Sequence, residues 1–250
     1  MKLALLSDLH ANLRALRACL AHARQAGATR FAVLGDSVGY GPEPVAVLRE
    51  VMALRDEGAV VLQGNHDEAA CRPPAGDRTA EEVSSRWTHA QLAPAHRDWL
   101  AALPLTARVG DALLVHASAH EPARWEYVDR PALAQRCLDA AQATHGVRQV
   151  FCGHVHEQQL YYGGADGRLQ AFTPVPGVPV PLAAHRGWVA LVGSAGQPRD
   201  GDARAMYALL DVAQGRLAFH RVPYDHAGAA AAIRAAGLPE AFARRLERGR

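Results

Sequence analysis

Short apolar runs alternate with amphipathic stretches through the first half of the chain. Lys2–Leu6, 31–34 and 59–62 read as buried strands, each a brief aliphatic run bounded by glycine or polar residues. Between the first two, Leu13, Leu16 and Leu20 fall on one helical face, with Asn12 as cap and Gly27 as the stop after about Gln25. Val47, Leu48, Val51 and Leu54 mark a second helix from about Glu43. Strand–helix–strand–helix–strand with short links predicts right-handed crossovers and a parallel sheet.

A more polar helical stretch over 78–102 interrupts that rhythm. Thr106–Val109 and Ala112–Val115, joined at Gly110-Asp111, predict a hairpin. Pro131 opens a helix to about Thr144, and the apolar run 147–152 follows as a buried strand. From there the pattern turns antiparallel. Strands 158–162 and Leu169–Phe172 flank a turn at 163–167, and Trp188–Val192, 205–210 and 217–222 read as three more. The proline-rich loop between them (Pro174, Pro176, Pro179, Pro181) is extended and stiff by composition. Two short helices end the chain. With neither repeat nor linker, the expectation is a single domain over 1–250.

Composition narrows the function classes. Hydrophobic residues make up 49% and charged residues 21% of the 250 positions, ordinary values for a globular protein. The net charge of +2 advertises neither a nucleic-acid groove nor an acidic tail. The closing arginines (Arg244, Arg245, Arg248, Arg250) are interleaved with Glu240 and Glu247 and read as a solvated helix. Four scattered cysteines without a CxxC suit a reducing compartment. No apolar run has the length of a membrane span, so the expected setting is cytoplasmic.

The chemistry gathers where predicted strands stop. The strand over 147–152 ends in Gly153-His154-Val155-His156, and residues two apart on an extended chain emerge on one side. Two imidazoles so presented make half of a metal site. The other strand ends supply the rest: Asp8 and His10, then Asp36, then Asn65, His66 and Asp67, then His116. That edge of an open α/β sheet is where sites are built. Carboxylate, imidazole and amide oxygen together suit manganese, iron, zinc, cobalt or nickel, and so many ligands favour two ions over one.

In order along the chain, the blocks DLH, GD, GNHD, VH and GHVH resemble the calcineurin-like metallophosphoesterase family, most closely a bacterial branch with GDxVGYGP. The resemblance implies a mixed parallel and antiparallel two-sheet sandwich flanked by helices, an α/β fold with four αββα layers. It implies one divalent metal on Asp8, His10, Asp36 and His156, and a second on Asp36, Asn65, His116 and His154, with Asp36 as bridge and manganese as the leading ion. His66 would be the catalytic proton donor and Asp67 would orient its ring. The implied activity is phosphoester hydrolysis, as phosphodiesterase or phosphatase. A water activated between the two metals attacks phosphorus in line while His66 protonates the leaving oxygen.

The departures concern substrate, not ligands. The phosphate-gripping arginine of the phosphoprotein phosphatase branch is missing after Asp36. Arg199, in Gly196-Gln197-Pro198-Arg199, is a candidate replacement, with a plain surface turn as its alternative. Tyr40, Trp125 and Tyr127 are candidate walls for a base or aryl group, or simple loop packing. The implied substrate is a small phosphoester or nucleotide. Two rivals stand beside this reading: a non-catalytic scaffold of the same fold, against which the complete ligand set argues, and a nuclease, against which the charge balance argues.

Overall fold

The computed structural model describes residues 1–164 and 168–250. In chain order the elements are β1 (Lys2–Leu6), α1 (Leu13–Gln25), β2 (Arg30–Val33), α2 (Pro44–Asp56), β3 (Val60–Val61), α3 (Asn65–Cys71), α4 (Ala80–Gln91) and α5 (Pro94–Ala101). The hairpin β4 (Thr106–Val109) and β5 (Ala112–Val115) leads to α6 (Pro131–His145) and β6 (Gln149–Cys152). Six strands follow: β7 (Gln158–Gly163), β8 (Leu169–Phe172), β9 (Val180–Pro181), β10 (Trp188–Val192), β11 (Ala205–Asp211) and β12 (Arg216–Val222). The helices α7 (His226–Ala235) and α8 (Glu240–Arg248) close the chain.

The strands form two mixed six-stranded sheets, ordered β3-β2-β1-β11-β12-β9 and β4-β5-β6-β10-β7-β8. β1, β2 and β3 run parallel, as do β5, β6 and β10; β11 and β7 join them antiparallel. Alternation along β1 explains the layering. Leu3 and Leu5 point into a core shared with Phe151 and Ala190 of the second sheet. Ala4 and Leu6 point the other way, onto Leu16 of α1 and Leu48 of α2. The second sheet's outer face packs through Val150 and Val189 on Leu138 of α6. Helices, sheet, sheet and helix therefore stack in four layers.

Three expectations change. The helical stretch over 78–102 is two helices, because Pro94 cannot donate within a continuous helix and instead begins α5. Asn65-His66-Asp67, expected at the close of the third strand, forms the first turn of α3. The proline-rich segment supplies β9, an edge strand on β12 that β11 and β12 separate from β1. An edge suits proline, which has no N–H to give on the outer side. Of the expected turn at 163–167, residues 165–167 lie outside the described residues.

Candidate active site

The carboxyl ends of β1, β2, β5 and β6 and the amino end of α3 converge on one edge. There the backbone leaves ordinary strand geometry. Asp8, His10, Asp36, His154 and His156 all have left-handed φ, between 46° and 65°, a region that costs a non-glycine residue energy and is held only by its surroundings. Loop-to-loop hydrogen bonds do the holding: Asp8 N–H donates to the Gly35 carbonyl at 3.1 Å, His10 N–H to Asp36 at 3.0 Å and Gly153 N–H to His116 at 2.9 Å. A β-carbon at Gly153 would overlap Ser7 Oγ and the Asp8 carboxylate, so only glycine fits where β6 meets β1.

This corrects the extended-chain account of His154 and His156. β6 stops at Cys152, both histidines are left-handed, and they face different clusters. One cluster is Asp8, His10 and His156; the other is Asp36, His116 and His154. In the first, His156 Nε2 lies 3.2 Å from Asp8 Oδ1, and His10 Nε2 lies 3.8 Å from it. In the second, His116 Nε2 lies 3.4 Å from Asp36 Oδ2 and 3.1 Å from Asn65 Oδ1. Asp36 Oδ2 is also 3.8 Å from His10 Nε2, so this one oxygen faces both clusters.

The donor atoms fit divalent cations. Backbone carbonyls of Val38, Leu34 and Gln197 sit at 3.3, 2.9 and 2.6 Å from Nδ1 of His10, His116 and His156 respectively. A carbonyl only accepts, so each Nδ1 carries a hydrogen and Nε2 is the atom that each ring turns into its cluster. Yet His10 Nε2 and His156 Nε2 stand 3.0 Å apart, and Asp8 Oδ1, Asp36 Oδ2 and His154 Nε2 are buried without a hydrogen-bond partner among the described residues. Buried lone pairs crowded together call for positive charge between them.

The ionisations say the same. Burial would raise the Asp8 and Asp36 carboxyls, but facing imidazoles, His156 for Asp8 and His116 for Asp36, hold both well below the usual carboxylate range. Burial would lower His116, yet the Asp36 carboxylate lifts it to about 9. Burial and the neighbouring His116 push His154 down to about 4, and burial with His156 depresses His10. The site keeps its carboxylates charged and holds His10 and His154 neutral, as metal ligands must be, while His116 sheds its proton on taking up a metal.

At the amino end of α3, His66 N–H donates to Asp36 Oδ1 at 2.8 Å, and its ring lies 4.3 Å from Tyr40 and 5.2 Å from His10. His66 Nδ1 is buried and has no partner among the described residues. Burial lowers its pKa despite nearby Asp36. Asp67 is not on this ring. Its two oxygens accept the Val38 N–H at 3.2 Å and the Gly64 N–H at 3.0 Å, so it ties the loop after β2 to the start of α3. The expected orienting contact is absent because both oxygens are already used.

The comparisons fit this geometry. Residues 1–215 match the model of the calcineurin-like phosphoesterase superfamily domain. The chain belongs to that superfamily. It is, by family, a metal-dependent phosphoester hydrolase. A metallophosphoesterase crystal structure from Sphaerobacter thermophilus shares 34% identity and a TM-score of 0.86, covering 100% of this chain and 99% of that one. An uncharacterised protein of Methanocaldococcus jannaschii is 28% identical over 99% of this chain and 98% of its own. A symmetrical bis(5'-nucleosyl)-tetraphosphatase of Bordetella pertussis is 35% identical over 52% of this chain and 47% of its own length.

Around this phosphoesterase centre the aromatic candidates take distinct places. Tyr40, 5% exposed, is wedged among His10, His66 and Phe242, the last at 4.7 Å. Tyr127 stacks on His154 at 4.1 Å, and Trp125 meets His116 edge-on at 5.7 Å. The Trp125 indole N–H donates to Glu68 of α3 at 2.9 Å. Both line a cavity of about 460 Å³ beside the second cluster. Arg199 is no mere surface turn: its N–H donates to the His156 carbonyl at 3.2 Å, and its guanidinium sits 5.7 Å from the Tyr40 ring centroid. Arg245, taken from sequence as part of a solvated helix, reaches the same ring at 5.7 Å. Its helical periodicity with Phe242 and Leu246 was the one available signal.

Proposed function

We propose that the protein is a dinuclear metal enzyme that hydrolyses small, nucleotide-like phosphoesters in the cytoplasm. The observation that carries the reading is the pair of buried donor clusters meeting at Asp36 Oδ2, within 3.4 Å of one cluster and 3.8 Å of the other. Asp8, His10, Asp36 and His156 would hold one ion; Asp36, Asn65, His116 and His154 the other. Two divalent cations, manganese foremost for this donor set, supply an activated water and neutralise phosphoryl charge when bound.

The chain's own groups do the rest. The carbonyls behind His10, His116 and His156 fix the tautomers, so nothing reorganises as the reaction proceeds. His66 offers Nδ1 to the departing oxygen, and its buried ring makes the protonated form a strong acid. Arg199 Nε, buried and without a partner among the described residues, is free to take an oxygen of a further phosphate on the substrate. The likeness to the Bordetella tetraphosphatase, though confined to about half of each chain, supports a nucleotide-like substrate. The four unpaired cysteines suit a reducing compartment. Among the described residues no helix is long and apolar enough to cross a membrane.

The test is to strip the protein with chelator, restore manganese, iron, zinc, nickel, cobalt or magnesium singly, and assay bis-p-nitrophenyl phosphate beside a nucleotide panel. Activity that returns with two bound ions per chain is expected. Two bound ions with no hydrolysis of any phosphoester would leave the fold as a scaffold.

A further inference from the structure

Tyr40 carries a guanidinium from each of two distant parts of the chain. Arg199 arrives from the loop after β10 and Arg245 from α8, each with its central carbon 5.7 Å from the ring centroid. Arg245 is also 5.5 Å from the ring of Phe242, one turn earlier on α8. Such cation–π contact holds a guanidinium by its charge against the ring face and leaves its N–H groups to find acceptors elsewhere. Burial keeps the phenol protonated, its pKa pushed up to about 12 even with Arg199 beside it.

One N–H nitrogen of each guanidinium lacks a partner among the described residues. Arg199 Nη2 donates to Gln197 Oε1 at 3.0 Å, but its Nε is buried and unsatisfied among the described residues. Arg245 has Glu81 at 3.7 Å from Nη2, too far for a hydrogen bond, and its Nη1 is likewise buried and unsatisfied. Leaving a charged N–H buried without an acceptor is costly. Two such atoms around one aromatic ring, itself 4.3 Å from His66, describe a place for an anion. The metal clusters lie across the His10 ring, 4.6 Å from Tyr40, so this anion is not the phosphoryl group held between the metals.

We propose that Arg199 and Arg245 form a second phosphate subsite, which selects substrates whose scissile phosphorus is joined through an anhydride to another phosphate. This rests on the reading of the centre as a phosphoester hydrolase and adds the substrate class: a nucleoside or inorganic polyphosphate. The second phosphate lies on the His66 side, which makes it part of the leaving group. Arg199 supplies Nε, Arg245 supplies Nη1, and Tyr40 holds both guanidinium groups beside its ring. Arg245 is a residue that family membership alone does not assign, because α8 falls after the matched residues 1–215.

The experiment compares the full-length, metal-loaded protein with Arg245→Gln, Arg199→Gln and Arg245→Lys. Steady-state kinetics are taken on ATP, inorganic tripolyphosphate and bis-p-nitrophenyl phosphate, and binding of tripolyphosphate is measured by calorimetry. For each glutamine variant the ratio of kcat/KM on the polyphosphates to that on the diester should fall by about tenfold or more, mostly through KM, since a charged hydrogen bond is lost. Arg245→Lys should recover part of it, keeping charge without the fork. Calorimetric affinity should fall in parallel. Equal losses on all three substrates would assign both arginines to packing around Tyr40 and overturn the subsite. So would wild-type hydrolysis of the diester with none of the polyphosphates, an outcome that leaves the proposed function standing. If no phosphoester is hydrolysed, the proposed function falls and calorimetry decides the subsite: weaker binding in the glutamine variants supports it and unchanged binding overturns it. Matching unfolding midpoints establish that each variant is folded.

Discussion

His10 and His156 face each other Nε2 to Nε2 at 3.0 Å, each ring pinned from behind by a backbone carbonyl. Neither nitrogen can retreat, because each opposite Nδ1 is held to Val38 or Gln197. The repulsion between their lone pairs is relieved by a cation, so folding and metal binding are linked at this point. Chelator should lower the unfolding midpoint, and added metal at about 100 times its Kd should restore about 2.7 kcal/mol. Asp36→Asn should reduce occupancy of both clusters, whereas His10→Ala should empty chiefly the one with Asp8 and His156. Elemental analysis of the purified variants reads this directly. Full double occupancy in Asp36→Asn would remove Asp36 as the bridge.

Asp67 is expected to behave as a structural clasp. Its buried carboxylate accepts from Val38 and Gly64, and burial with nearby Asp36 pushes its pKa up to about 7. An asparagine has one acceptor oxygen and sets an NH₂ against the other backbone N–H. Asp67→Asn should therefore cost about 1–3 kcal/mol of stability in urea unfolding. It should also lose metal with it, because the clasped loops carry Asp36 and Asn65. Unchanged stability with a selective loss on poor leaving groups would instead return Asp67 to the role of orienting His66.

How much of this was legible in the sequence depends on how local each cause is. Asp8, Asp36 and His116 stood out because each ends a short apolar run, and strand ends in an α/β sheet are set by nearby residues. α3 was hidden because its seven residues hold only two buried positions, Asp67 and Ala70, too few for a period to show. The left-handed turns at His154 and His156 were hidden too, since tertiary contacts, not propensity, hold a histidine at positive φ. Asp67 misled for a related reason. Its neighbour in sequence is His66, but its partners in space are two backbone groups. Arg245 lay beyond every motif, and only the packing of Phe242 on Tyr40 brings it to the site.

A half-buried pair of histidines away from the metals, His22 and His220, should shape stability in acid. His220 stacks on Tyr207 at 4.7 Å, with the His22 ring 5.2 Å away and His22 Nδ1 at 2.7 Å from the Tyr207 hydroxyl. Burial, aided by His22, lowers its pKa from 6.5 to about 4. The folded state therefore resists protonation that the unfolded chain accepts. Its contribution is complete above the unfolded value and drains away as pH falls from 6.5 toward 4. His220→Phe keeps the stack and removes the titration. Urea unfolding of both proteins at steps from neutral pH into that window should show the variant losing less stability than wild type. Parallel curves would mean His220 is already neutral or charged alike in both states.

The role of His66 is the last point that experiment can separate. Its ring is held against Tyr40 and edge-on to His10, its backbone N–H is tied to Asp36, and Nδ1 has no partner among the described residues. A group so placed contributes in proportion to the leaving oxygen's need for a proton. Nitrophenolate departs readily as an anion and needs little help; an alkoxide or ribose oxygen needs much. Loss of a general acid typically costs about 10²–10⁴ in rate. His66→Ala should therefore retain both metals, lose little on nitrophenyl esters and lose within that range on alkyl or nucleoside esters. Polyphosphates, whose leaving group is itself a phosphate, should fall with the nitrophenyl esters if Arg199 and Arg245 already neutralise the departing charge. The measurement is kcat across esters of graded leaving-group pKa, wild type against variant, with metal content checked in each. A uniform loss across the series, with both ions still bound, would mean that His66 stabilises the phosphoryl group and does not deliver the proton.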